Sequence, residues 1–337
     1  MKNEKNGSFP TEIRLIYPTV SVLMITYNHE KFIRQALDSI LMQEVNFEYE
    51  ICIGEDESTD GTREICMEYA ERFPSIIRLF LRERKNTERD LYKAPFMYNF
   101  TETLKACRGK YVAFLEGDDY WASHHKLQWQ VDVMENNQEY TMCFHNTNVV
   151  YDHIETPSHL SNENQKSRSD IYDLIDGWYI MSCSLMFRNN LIQEIPSFFY
   201  DTYNGDYALE LALGSFGDVY YIDEVMGVYR RHASSFGSAH FEIERYHRSL
   251  IKLLVEFDSF TNYKFKKAIK LRVSEIYCDL SKVYMRKEKL FGHLKCLLLS
   301  LINNPKQKVL EKNMVKFNYT LPVRIALGVN RRLTLFK

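Results

Sequence analysis

Between Val20 and Asn136 the chain alternates, four times over, a short apolar run with a segment of helical spacing. "VSVLMIT" (Val20 to Thr26) is continuous in β-branched and apolar residues, the pattern of a buried strand. "EKFIRQALDSILMQ" follows, with Phe32, Ile33, Leu37, Ile40 and Leu41 at helical intervals. "YEICIGE" and "TREICMEYAERF" repeat the pair, then "IIRLFLR" and Pro95 to Cys107, then "KYVAFLE" and "HHKLQWQVDVMEN". Strands alternating with helices of this length predict an α/β fold, a doubly wound, mostly parallel sheet with helices on both faces.

In such sheets ligands bind beyond the carboxyl ends of the strands. "TYN" ends the first run, "GEDES" the second and "EGDD" the fourth, so three polar clusters are expected at one edge. The last is the most unusual. A buried strand that stops on Glu116, Asp118 and Asp119 crowds like charges, which do not stay ionised without compensation. A bound cation supplies that compensation. A turn that merely caps the following helix is the plainer alternative.

After Val150 the alternation lapses. "SHLSNENQKSRSD" (Ser158 to Asp170) is polar and aperiodic, as a surface loop is. Order returns with "SCSLMFR" as a strand, "DYALELAL" as a helix and "VYYIDEVMGVYRRH" as a strand pair or ribbon. From about Phe241 onward the spacing is helical. The chain therefore divides into residues 1–240, which carry the sheet, and a helical C-terminal region, 241–337. Leu301 to Lys337 holds eight Lys or Arg and one acid, Glu311. Its mixture of apolar and cationic residues suits docking on anionic lipid, and equally a solvated end.

Composition narrows the class further. A net charge of −2 gives no drive towards nucleic acid. The seven cysteines form no CxxC pair, which points away from a disulfide framework or a zinc site. Their apolar settings read as reduced core thiols and favour the cytoplasm. The N-terminus lacks an apolar core of signal-peptide length, and no run approaches a membrane span. A soluble protein is expected, or one held at the inner face of the plasma membrane.

Residues 20 to about 235 resemble the family 2 glycosyltransferases, inverting enzymes with the GT-A fold. The segments that carry the resemblance are "VSVLMITYNHEKFIRQALDSIL", "EDESTDGTREI", "GKYVAFLEGDDYW", "NGDYALELAL" and "YRRHASS", in the family's order. The resemblance implies that "EGD" is a DXD-type motif, with Asp118 and Asp119 holding a divalent metal, Mn²⁺ or Mg²⁺, on the donor's diphosphate. Glu116 departs from the usual first Asp. It implies that Thr26 and Tyr27 flank the nucleotide and that Asp56 hydrogen-bonds its base. Here Glu55, Asp56 and Glu57 replace the usual two acids and a glycine. Asp206 takes the place of the catalytic base, with Gly205 where many relatives have a second acid; an N-cap role suits Asp206 too. Arg230 and His232 are implied as a basic lid over the diphosphate. The basic residues of "LRERKNTERDLYK", from Arg82 to Lys93, are further candidates to meet the diphosphate, with a solvated charged loop as the plainer reading.

The implied reaction moves one sugar from a nucleotide-sugar donor, a UDP-sugar, to a glycan or lipid-linked acceptor. The QxxRW motif of processive synthases is missing, as are their membrane spans, which favours single transfers. A sugar-phosphate nucleotidyltransferase on a related sheet is the first alternative, but it uses a Gly-rich loop where "TYNHEKF" stands. The second is a non-catalytic partner that keeps the fold and works through its helical C-terminal region. Retention of acids at Asp118 and Asp206 speaks against it.

Overall fold

The computed structural model describes residues 17–151, 159–160, 164–192, 194–232 and 243–304. Most of the basic C-terminal segment, part of the polar loop before Asp170 and the inferred boundary near residue 240 lie outside them.

The four βα pairs form as the spacing predicts: β1 (Val20–Thr26) and α1 (Ile33–Leu41), β2 (Tyr49–Glu55) and α2 (Thr62–Arg72), β3 (Ile77–Leu81) and α3 (Pro95–Ala106), β4 (Tyr111–Glu116) and α4 (Lys126–Asn136). A two-residue strand, β5 (Tyr120–Trp121), interrupts the last pair. Then come β6 (Tyr140–Tyr151), the short β7 (His159–Leu160) and β8 (Arg168–Ser169), α5 (Ile171–Asp176), β9 (Met186–Arg188), α6 (Gly205–Gly214) and β10 (Asp218–Arg231). Three helices, α7 (Ile243–Phe260), α8 (Lys266–Arg286) and α9 (Leu290–Asn303), follow. No helix among the described residues is long and apolar enough to cross a membrane.

All ten strands join one sheet in the order β3-β2-β1-β4-β9-β6-β10-β5, with β7 on β6 and β8 on β10. Strands β3, β2, β1 and β4 are mutually parallel. β9 is antiparallel to both β4 and β6, which makes the sheet mixed beyond the first four strands. "VYYIDEVMGVYRR" is a single long strand, not a ribbon. It runs parallel to β6 and absorbs register shifts around Ile222 to Gly227. "SCSLMFR" is also divided, into a 3₁₀ turn (Ser182–Ser184) and the short β9.

Every residue of β1 is buried because both faces are covered. Val20, Val22 and Met24 meet α1, α2 and α4 on one side, through Ile33, Leu37, Ile65 and Val131. Leu23 and Ile25 meet the opposite core, with Met97 and Phe100 of α3 and Leu209 of α6. Alternation at period 2 thus feeds two cores from one continuous apolar run. The second core continues into Leu253, Leu254 and Phe257 of α7 and Ile269 and Val273 of α8. The seven cysteines are buried and unpaired.

Because α7 shares the core of the sheet, its loss should be felt there. Phe257→Ala is expected to cost about 3–5 kcal/mol of unfolding free energy. The tryptophans, all in the sheet-bearing part (Trp121, Trp129 and Trp178), should report that loss as a lower melting midpoint by fluorescence. An unchanged midpoint would mean that α7 only decorates the sheet.

Candidate active site at the carboxyl edge of the sheet

Parallel pairing sets the three polar strand ends side by side. Thr26 lies opposite Glu55, and Ile25 opposite Glu116. The Asp56 N–H donates to the Thr26 carbonyl at 3.1 Å, and the Gly117 N–H to the Ile25 carbonyl at 3.0 Å. Gly117 is needed for this approach. A Cβ there would stand 2.5 Å from Thr26 Oγ1 and 2.9 Å from His29 Nδ1.

The acid turn is fixed at its far end too. β5 pairs with Gly227 and Val228 of β10. Trp121 is nearly fully buried, donates from Nε1 to the Cys183 carbonyl at 2.9 Å, and covers Lys126 Nζ at 3.8 Å from its ring. One oxygen from each of Glu116, Asp118 and Asp119 falls within 4.8 Å of the others.

Each acid has its own surroundings. Asp119 is 1% exposed; its Oδ1 accepts from the Arg230 N–H at 2.8 Å, while its buried Oδ2 has no hydrogen-bond partner. Burial, then Asp118 and Glu116, pushes its carboxyl well above the ordinary range. Glu116 accepts from Ser182 Oγ at 2.8 Å, and burial, then Asp118, pushes it up to about 8. Burial would raise Asp118 as well, but His29 and His232 hold it below the usual value. Its Oδ2 lies 2.9 Å from His232 Nε2 and 3.8 Å from His29 Nε2. Three convergent carboxylates, one with an orphaned buried oxygen, fit a hard divalent cation, which takes oxygen ligands.

Arg230 is placed differently from a lid. Its guanidinium donates to the Asp118 carbonyl at 2.7 Å and to Gln35, and lies between the rings of Tyr120 (4.4 Å) and Phe32 (5.2 Å). It braces the acid turn from beneath. His232 is buried against Phe32, with ring centroids 4.7 Å apart.

Asp206 sits in the first turn of α6, whose N-cap is Asn204. Its own carboxylate accepts from the Tyr207 N–H at 2.8 Å. Burial raises it to about 6, overriding that bond. At Gly205 a Cβ would lie 2.3 Å from Met97 Sδ, so a side chain there requires the end of Met97 to move aside. Tyr229 of β10 connects the two acidic groups. Its phenol is raised first by burial, then by Glu116, Asp119, Asp118 and Asp206, and Glu116 in turn feels Asp206, so the acid turn and Asp206 lie within electrostatic reach of one another.

Asp56 is buried and already engaged. Arg84 Nη2 donates to Oδ2 at 3.3 Å, and Arg89 donates to Oδ1. Arg84 also lies 3.4 Å above the Tyr27 ring, in face contact. The loop whose plainer reading is a solvated one therefore supplies two arginines to this pocket. Glu57, where the usual pattern has glycine, has φ of 57°, the left-handed conformation glycine favours. Its carboxylate fastens to the Arg84 N–H at 2.5 Å, which ties that loop to β2.

His29, Ser182 and Tyr229 escaped sequence reasoning, while Arg84 and Arg89 were weighed as contacts to the diphosphate and not to Asp56. Only His29 had an accessible sequence cue, standing three residues beyond Thr26 in "TYNHEKF".

With this geometry in place, the similarities to known proteins can be compared. The model of the family "Glycosyl transferase family 2" matches residues 21–195. An uncharacterised protein of Mycobacterium tuberculosis is 34% identical over 215 residues, 64% of this chain and 59% of that protein. The chain thus spans about three-fifths of the length of that relative. A UDP-Glc:alpha-D-GlcNAc-diphosphoundecaprenol beta-1,3-glucosyltransferase of Escherichia coli is 32% identical over 119 residues, 35% of this chain and 42% of its own. Among solved structures, S. aureus TarS 1-349 in complex with UDP-GlcNAc aligns with a TM-score of 0.56 at 15% identity. That alignment covers 86% of this chain and 92% of TarS 1-349, a likeness of fold.

Gly117 offers a direct test of the turn. Gly117→Ala should displace the acids from β1, costing about 1–3 kcal/mol of stability and at least about tenfold in Mn²⁺ affinity, or roughly 1.4 kcal/mol of binding. Thermal denaturation and Mn²⁺ titration measure the two, and unchanged Mn²⁺ affinity would show that the turn's position is immaterial.

Proposed function

The chain belongs to glycosyl transferase family 2, and on that premise we propose that it is an inverting transferase that moves one sugar from a UDP-sugar to a glycan or lipid-linked acceptor in surface-polysaccharide assembly. The observation that best supports this reading is the cluster of Glu116, Asp118 and Asp119 at the carboxyl edge of the sheet, with Asp206 within electrostatic reach of it across Tyr229. Inversion needs an acceptor hydroxyl attacking the anomeric carbon from the face opposite the departing diphosphate. It therefore calls for a base and a site for a cation on the two sides of one cavity.

Asp118 and Asp119, with Glu116 in reach, would hold Mn²⁺ or Mg²⁺, which supplies Lewis-acid stabilisation of the leaving diphosphate. His232 and His29 keep Asp118 ionised for that task, and Arg230 holds the turn's backbone in place. Asp206 takes the proton of the acceptor hydroxyl. A carboxyl raised to about 6 is still ionised at neutral pH, yet is a stronger base than an ordinary aspartate.

Thr26, Tyr27 and Asp56 form the nucleotide side. A base stacking on Tyr27 takes the place that Arg84 now occupies. Moving that guanidinium leaves an Asp56 oxygen to accept from the imide N–H of uracil. The Escherichia coli relative pairs a UDP-sugar with a lipid diphosphate in its name, and TarS has been captured with UDP-GlcNAc; both favour a UDP donor here.

Asp206→Asn is expected to lower transfer by about 10²–10⁴-fold, the usual contribution of a general base, with UDP affinity unchanged. In the unsubstituted enzyme, protonation of Asp206 should make the rate fall as pH drops through about 6. Radiolabelled transfer from a panel of UDP-sugars, measured across pH, reads both effects. Full activity in the Asn variant would remove Asp206 from the mechanism.

A further inference from the structure

Beside the N-terminus of α6 lies a cleft that the donor site does not use. Arg245, Arg248, Ser249 and Lys252 recur at intervals of three and four, so they share one face of α7. Lys93, from the turn entering α3, lines the cleft with them, and together with Glu244 they bound about 470 Å³. Four of these six lining residues are cations and one is a carboxylate.

Opposite charge is thinly supplied. Asp201 alone serves two ammonium groups, Lys93 Nζ at 3.2 Å and Lys252 Nζ. Lys252 also reaches Glu256 on its own helix at 3.6 Å. Arg248 pairs with Glu244 at 3.2 Å and donates to the Tyr284 hydroxyl at 2.7 Å. Arg245 has no carboxylate partner among the described residues. It donates to the Tyr203 hydroxyl and lies over that ring at 4.8 Å, while Lys93 Nζ stands 5.1 Å from the same ring centroid.

The cleft adjoins the base. Tyr203 precedes Asp206 by three residues, and its N–H points to Ser249 Oγ at 3.4 Å. Tyr246, next to Arg245 on α7, is raised first by burial and then by the Asp206 carboxylate, so α7 lies within electrostatic reach of Asp206. A planar guanidinium fork with no carboxylate partner, flanked by two lysines, matches the oxygens of a phosphate ester. A neutral glycan would leave Arg245 without an anionic partner and the two lysines sharing the single carboxylate of Asp201.

We propose that this cleft binds the phosphate or diphosphate group of the acceptor, so that the acceptor's sugar hydroxyl is delivered to Asp206. The proposal rests on the reading of Asp206 as the acceptor-side base. It extends that reading by naming the acceptor's chemistry: an anionic phosphate ester.

The test is calorimetric titration of the full chain with inorganic diphosphate, with divalent metal removed by EDTA. Wild type is compared with Arg245→Gln/Lys252→Gln, two changes on a helix surface. The double variant should bind diphosphate at least about tenfold more weakly, having lost two charge-assisted contacts. UDP binding in Mn²⁺ serves as the separate reading of the donor site and should not change. Equal diphosphate affinity in both proteins, or no binding to wild type while UDP binds, would overturn the proposal and leave the donor reading intact. Failure of UDP to bind wild type in Mn²⁺ would overturn the donor reading instead. Cosedimentation with phosphatidylglycerol vesicles distinguishes the sources of phosphate. Vesicle binding lost in the variant, with diphosphate binding retained, would assign the cleft to lipid head groups and overturn delivery of the acceptor.

Discussion

Much of this structure is arranged around a repulsion. Glu116, Asp118 and Asp119 are forced together at the end of a buried strand, and Asp119 keeps one carboxylate oxygen buried without a partner. Left alone, such a cluster would swing into solvent. The sheet prevents this at both ends of the turn, through β4 in register with β1 and β5 bonded to β10. Beneath it, Arg230 grips the Asp118 carbonyl, and its backbone N–H holds Asp119. The missing side chain of Gly117 lets the turn press against Thr26 and His29. Restraint of this kind is what a preorganised charge site requires, because the cost of crowding is met in folding and not at the moment of reaction.

The helices beyond the sheet take part in that restraint. The core on one face of β1 runs without a break through α3 and α6 to α7 and α8. α6 carries Asp206, and Tyr246 of α7 lies within its electrostatic reach. The position of Asp206 is therefore tied to the C-terminal helices as well as to the sheet.

How much could be read in advance depended on the range of the interaction. Continuous apolar runs and helical spacing are local, and they located β1 to β4 with their helices. The acid turn was visible because charge at the end of an apolar strand is locally anomalous. Pairing across the sheet is not local. Nothing in "VYYIDEVMGVYRR" announces that β6 lies beside its whole length, or that Tyr229 would stand among four carboxylates. Asp56 and Glu57 show the same limit. The charged loop that binds them is 27 or more residues away, and its arginines resemble any solvated charge until the fold brings them in. Glu57, standing where glycine was expected, adopts the left-handed backbone that glycine favours and uses its carboxylate to anchor Arg84.

The central claim is that the crowded acids exist for a cation, and Asp119→Asn tests it most directly. The change keeps the acceptor that Arg230 uses and replaces the orphaned oxygen with a donor, while removing one negative charge. Thermal unfolding of both proteins, with and without Mn²⁺, is the measurement. Without metal the variant should be more stable than wild type, and Mn²⁺ should stabilise wild type alone, by about 2.7 kcal/mol of binding linkage at a hundredfold excess over the dissociation constant. A variant less stable without metal, and stabilised by Mn²⁺ as much as wild type, would contradict it.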